Sequence, residues 1–307
     1  MGIESNAANA TAAVPEQPKP LIKQGWARAL LIVPAWVVAL NLATLAAVPV
    51  IGADSIDAVM DAFGEPTGIL VQAIQLLGFM LPIVVFRKFI DRRVLASLGY
   101  GLRGDFIRDL FLGLFGGIAL MAMIFFTIMA LGGLEISSIQ APDPSFLTLT
   151  ITFLLVAIGE ESLVRGYVLS NFMDSTNKYV AVLVTSALFA AMHLMNPNVS
   201  IIGVVNVALA GIMLGTYYIH RRNLWLPIGL HLTWNLFEGS VFGSAVSGET
   251  MPGTTIFAFT KTGPDLITGG GFGFEASIIT TLVMVIGTVV LHLVYRDRPS
   301  RVARAAV

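Results

Sequence analysis

Long apolar stretches set the pattern of this chain, with polar and charged positions gathered into short breaks between them. The apolar runs cover 29–53, 66–86, 110–134, about 145–172, 179–219, about 223–245 and about 276–295. A spanning helix needs about 20 mostly apolar residues. The run 179–219 is too long for one span, and Asn196-Pro197-Asn198 divides it into two. The pattern therefore predicts an all-α, polytopic membrane protein of about eight transmembrane helices. Residues 88–108 alternate basic and apolar groups and read as an interfacial stretch. Residues 246–274 read as a loop rich in Gly and Thr, including Thr268-Gly269-Gly270-Gly271-Phe272-Gly273. The Ala/Pro/Gln/Asn-rich segment 1–24 has no apolar region of the signal-peptide kind and is expected to be a disordered cytosolic tail. A transmembrane domain over 25–298 and a cytosolic tail over 299–307 complete the expected organisation. There is no internal repeat.

Composition sharpens the class. Of 307 residues, 56% are hydrophobic and 12% charged, against about 25% charged in a soluble domain. Mean hydropathy is +0.82. A net charge of -1, without a basic stripe carrying interleaved aromatics, argues against a nucleic-acid partner. There are no cysteines, which excludes disulfides, thiolate metal sites and cysteine nucleophiles.

Lysine and arginine give an orientation. With the N-terminus in the cytosol and spans alternating, the inner segments hold nearly all the basic residues. Lys261 alone falls outside, and Arg165 lies within a span. The first outer loop carries Asp54, Asp57, Asp61 and Glu65 with no basic residue. Both termini are therefore expected to be cytosolic.

The polar residues inside the spans carry the candidate chemistry. A carboxylate at membrane depth costs roughly 2.5–3.5 kcal/mol on insertion scales, yet Glu160 and Glu161 stand side by side in the fourth run. Glu161 and Arg165, four apart, share a helix face and are expected to pair. Glu160 points about 100° away and stays available. Taken alone, the Glu161–Arg165 pair reads equally well as a structural ion pair between helices. Two later runs supply His193, with Phe189 one turn before it, and His231, with Asn235 one turn beyond. His231 and Asn235 share a face, and both donate hydrogen bonds, as an oxyanion site requires. Glu238 continues that face and reads either as a site member or as a residue near the outer end of its span. His220 and His292 are expected to be interfacial, and Asn41, Gln72, Gln75 and Asn206 to bond between helices.

Glu160-Glu161-x-x-x-Arg165, Phe189-x-x-x-His193 and His231-x-x-x-Asn235 resemble the three motifs of the CAAX-protease and bacteriocin-processing (CPBP) family, intramembrane proteases related to the Rce1 prenyl-protein endopeptidase. Leu224 to Leu230 also resembles the approach to the third motif. The resemblance covers roughly 145–240 and implies a helical core of the Rce1 type. It further implies that Glu160 and His193 activate a water, that His231 and Asn235 stabilise the oxyanion, and that Glu161, Arg165 and Phe189 support them. The substrate would be a membrane-associated peptide or protein, cleaved within the bilayer without a cofactor. A zinc-dependent version, with Glu160, His193 and His231 as ligands, is the close rival. Serine and aspartyl intramembrane proteolysis lack their Gly-x-Ser-Gly and Gly-x-Gly-Asp signatures. The rival of another class is a non-enzymatic transporter or scaffold using the buried carboxylates for proton relay or partner binding. The missing repeat speaks against transport.

Overall fold

The computed structural model describes residues 18–62, 65–102, 105–253 and 255–297. The expected tails at 1–24 and 299–307 fall outside these apart from residues 18–24, where the Leu21 amide donates to the Ile90 carbonyl at 2.8 Å.

Among the described residues, six helices are long and apolar enough to cross a membrane. They are α1 (Gly25–Ile51), α3 (Pro66–Ile90), α4 (Phe106–Ala130), α5 (Ser145–Phe172), α7 (Ile201–Arg221) and α10 (Ile278–Tyr295). A short helix α2 (Ile56–Asp61) follows α1. The other two expected spans are present as shorter helices. The segment at 179–192 forms α6 (Lys178–Met192), of only 15 residues, which rises about 22 Å against a hydrocarbon core of about 30 Å. The run at 223–245 forms α8 (Trp225–Leu236), of 12 residues, prolonged by a π turn at Phe237–Val241. Asn196-Pro197-Asn198 does break 179–219, but the break comes early, because α6 already ends at Met192. The two short helices are those that carry His193 and His231.

The expected loop after α8 is more ordered than its composition suggests. Strand β1 (Leu134–Ile139) pairs antiparallel with β2 (Phe257–Lys261), with Leu134 opposite Lys261, Ile139 opposite Phe257 and an irregularity between Ile136 and Ser138. A short helix α9 (Asp265–Thr268) and two 3-10 turns lead into α10. This cap is fixed by aromatic packing. Phe125 of α4 stacks on Phe242 with ring centroids 4.2 Å apart, and Phe259 stacks on Phe274 at 5.6 Å.

Close approach seats α8 against α4. A Cβ at Gly117 would lie 2.2 Å from Thr233 Oγ1 and 2.5 Å from the Leu230 carbonyl oxygen. A Cβ at Gly113 would lie 2.3 Å from the Leu226 carbonyl oxygen. Small residues four apart let two membrane helices meet backbone to backbone, and here they position the helix that bears His231 and Asn235.

At the opposite end from the cap, Lys88, Phe89, Arg92, Val94 and Leu102 of the expected interfacial stretch are exposed. The chain turns inward, and Asp91 is wholly buried. Its carboxylate accepts hydrogen bonds from Arg87 Nη1 (2.9 Å), Tyr167 Oη (3.1 Å) and Asn171 Nδ2 (3.1 Å), with Arg28 Nε at 3.3 Å. Arg28 and Arg93 both pair with Asp174. Paired charges are what make such burial tolerable. Of the described basic residues in 88–108, Arg93 reaches Asp174, while Arg28 and Arg87, which hold Asp91, come from α1 and α3.

Candidate active site

Helix α5 places both glutamates. Its α geometry ends at Glu161 and continues as a π segment over Ser162–Leu169. Such wide turns recur at functional sites. Glu161 and Arg165 are 0% and 1% exposed, and Arg165 Nη1 donates to Glu161 Oε1 at 2.8 Å. The pairing expected from their four-residue spacing is present. Arg165 also lies over the Phe189 ring, 4.4 Å from its centroid.

His231 reaches across from α8. Its Nδ1 lies 3.1 Å from Glu161 Oε1, the oxygen that Arg165 already holds, while its Nε2 lies 3.9 Å from Glu160 Oε2. Spacing along the sequence gave no hint of this clasp. Glu160 is the more open of the pair, with its side chain 19% exposed.

His193 caps the C-terminus of α6. Its Nδ1 lies 2.9 Å from the Phe189 carbonyl oxygen. A carbonyl only accepts, so Nδ1 carries the proton and Nε2 of the neutral ring is left as an acceptor. The Phe189 ring meets the imidazole edge to face at 4.8 Å. Phe189 thus touches both His193 and Arg165.

These groups surround one cavity of ≈ 850 Å³, whose walls include Glu160, His193, His231 and Asn235. Glu161 and Arg165 stand behind that wall, and Phe189 is part of it. Among the described residues no three His, Asp or Glu side chains are grouped so as to hold a metal ion. Helices α1 and α3 close the far side with Trp36, Gln72, Gln75 and Phe79. Gln75 donates to Thr44 at 3.3 Å between these two helices, as expected of an interhelical residue. Asn206 of α7 likewise accepts from Thr281 Oγ1 of α10 at 2.7 Å, and it donates to the carbonyls of Glu275 (2.6 Å) and Ser277 (2.9 Å). His220 and His292 meet each other at 3.3 Å, far along α7 and α10.

Glu238 does not line the cavity. It is fully buried, and Oε1 accepts the Glu275 amide at 3.2 Å. Its place is to hold the cap. The residue that sequence reasoning missed is Glu275. Its Oε1 accepts from Trp234 Nε1 at 3.2 Å, and its Oε2 accepts from Ser247 N at 2.9 Å and Ser247 Oγ at 2.7 Å. Glu275 and Ser247 both belong to the cavity wall. The signal that could have found it was a carboxylate three residues ahead of the last span, in a segment with no neighbouring cation. Behind the site, the Tyr100 hydroxyl bonds the Ser162 hydroxyl. Burial holds the Tyr100 phenol above its ordinary range, with the Ser162 bond opposing that shift.

Six helices long and apolar enough to cross a membrane, packed around an internal cavity lined by carboxylates and imidazoles, mark an integral membrane protein. Residues 142–237 match the family model described as Type II CAAX prenyl endopeptidase Rce1-like. The matched segment holds Glu160, Glu161, Arg165, His193, His231 and Asn235, so this part of the chain is similar to a family described as endopeptidases. No curated protein and no solved structure matches the chain.

Proposed function

We propose that the protein hydrolyses a peptide bond of a membrane-associated substrate with a water activated by Glu160 and His193. The observation that carries this reading is the convergence of Glu160, His193, His231 and Asn235, from three separate helices, on one cavity. Water is the nucleophile. His193 Nε2 accepts one of its hydrogen bonds, and Glu160 takes its proton as the oxygen attacks the scissile carbonyl. The developing oxyanion is met by His231 Nε2 and the Asn235 amide. With Nδ1 bonded to Glu161, His231 donates through Nε2 only as an imidazolium, and the Glu161 carboxylate beside it is the matching counter-ion. The proton on Glu160 then passes to the leaving amine, so no covalent intermediate is needed.

A metal-free scheme fits the donor set better than zinc. Asn235 is a poor zinc ligand, and a His231 Nε2 that donates to the oxyanion is not available to a metal. The test is comparative proteomics of membranes expressing wild type or Glu160→Gln at equal level. Fragments present with wild type and missing with the variant are expected. Identical peptide populations would end the peptidase reading and favour a binding or transport role.

A further inference from the structure

The two ends of the bundle differ sharply in charge. One gathers Lys23, Arg28, Arg87, Lys88, Arg93, Arg108, Lys178, Arg221, Arg222 and Arg296. The other holds the α1–α3 connection, the β1–β2 cap and the 193–200 turn. It carries Asp54, Asp57, Glu65, Glu135, Asp143, Glu249 and Asp265, and Lys261 is the one basic residue among its described residues. Lys261 is already spent internally, donating to the Gly270 carbonyl. By the bias of lysine and arginine toward the cytosol, the acidic end faces outward.

The cavity reaches that same acidic end. Beyond His193 its wall continues through Asn196, Ser247, Glu249 and Thr250, and Glu249 and Thr250 are exposed. Asn196 Nδ2 donates to the Ser247 carbonyl at 2.9 Å, so the 193–200 turn and the cap loop form one fixed rim. Gly248 makes that junction possible: its φ is +90°, and a Cβ there would lie 1.9 Å from the Pro197 carbonyl oxygen. Helix α6 stops at Met192, so the rim replaces the outer turns that a full-length span would have. Glu160, Glu249 and Glu275 line the space, and among the described residues no lysine or arginine does.

We propose that the cavity takes its peptide from the non-cytosolic side, and that its acidic lining selects a segment carrying lysine or arginine beside the scissile bond. This rests on the peptidase reading above and names the substrate class of the same site. A cationic segment would meet the exposed Glu249 first and the deeper carboxylates afterwards. Charge complementarity of this kind sets the choice of partner and the rate of encounter.

The absence of cysteine makes the side of access directly measurable. Glu249→Cys and Lys88→Cys, each introduced singly, are treated in intact cells with a membrane-impermeant maleimide. Glu249→Cys is expected to label at once, and Lys88→Cys only after permeabilisation. The opposite pattern overturns the proposal. Selectivity is read with the purified full-length Glu160→Gln protein and two fluorescent 20-residue apolar peptides, one capped with three lysines and the other with three glutamates. The lysine-capped peptide is expected to bind about tenfold more tightly, with the preference shrinking at high salt and in a Glu249→Lys background. Equal binding of the two peptides overturns the proposal. Both measurements are independent of catalysis. A wild-type protein that cleaves nothing while both results hold would count against the peptidase reading alone.

Discussion

His231 Nδ1 lies 3.1 Å from Glu161 Oε1, and this contact joins α8 to α5 at the centre of the molecule. The oxygen is shared with Arg165 at 2.8 Å. The second glutamate of the pair therefore has two tasks. It neutralises a buried guanidinium, and it aims an imidazole into the cavity. Glu160, one position earlier and turned about 100°, is left to face the cavity.

Cleavage of a natural substrate should be abolished by Glu160→Ala, His193→Ala and His231→Ala at unchanged membrane levels. Asn235→Ala should keep a remnant, since losing one oxyanion donor costs about 10²–10³-fold. Single-turnover assays on purified protein separate these cases. Full activity in Glu160→Ala would refute the mechanism.

Arg165→Ala leaves the Glu161 carboxylate buried with only His231 beside it. Breaking a buried pair costs about 3–5 kcal/mol, so a lower unfolding temperature in detergent is expected along with lost activity. Glu161→Leu combined with Arg165→Leu should regain the stability but not the catalysis, because His231 would lose its anchor. Unchanged thermal stability in Arg165→Ala would show that the pair does not hold the helix.

Gly117→Leu has no room against Thr233 and the Leu230 carbonyl. It should push α8 off α4 and lower both stability and activity. Gly116, one position away, is open: a Cβ there would meet only Leu230 Cδ1, at 3.8 Å. Gly116→Ala should therefore be close to neutral. Equal effects of the two substitutions in a melting assay would argue against the close contact.

Prolonged chelation followed by desalting should leave activity intact, and elemental analysis should find less than stoichiometric zinc. Inactivation by chelator that is reversed by zinc or cobalt would make Glu160, His193 and His231 ligands instead.

Reporter fusions after residues 60, 140 and 260 should all signal the outer side. A cytosolic signal from residue 260 would invert the last helices and break the orientation.

Much of this was legible in the sequence for plain physical reasons. Charges are so costly in lipid that Glu160, Glu161, Arg165, His193 and His231 stood out against their apolar runs, and the four-residue step from Glu161 to Arg165 gave their contact directly. Other features depend on contacts between distant segments. Nothing local told that α6 and α8 would be shorter than a full span, because apolar residues continue past their ends into folded turns. The clasp of His231 on Glu161 joins positions 70 residues apart. Glu275 lay hidden in a Gly-rich segment that reads as a loop, although Trp234 and Ser247 hold its carboxylate in the wall. Strands β1 and β2 escaped notice because each is short, and their residues gain a partner only across the whole of α5 to α8. Asp91 was masked by the arginines around it, whose number suggested a wet surface.

The Asp91 cluster sets the phase of the helix on which the glutamates ride. Tyr167 and Asn171 belong to α5 itself, and they grip Asp91 beside Arg28 of α1 and Arg87 of α3. A helix of apolar side chains in lipid has little to stop it from sliding or turning about its own axis. A slip of one residue would swing Glu160 by about 100°, out of the cavity and toward neighbouring helices, and would remove the base that the proposed mechanism needs. The polar knot at the inner end works like the pin of a lock, holding the Glu160 carboxylate at a single angle from about two helical turns away.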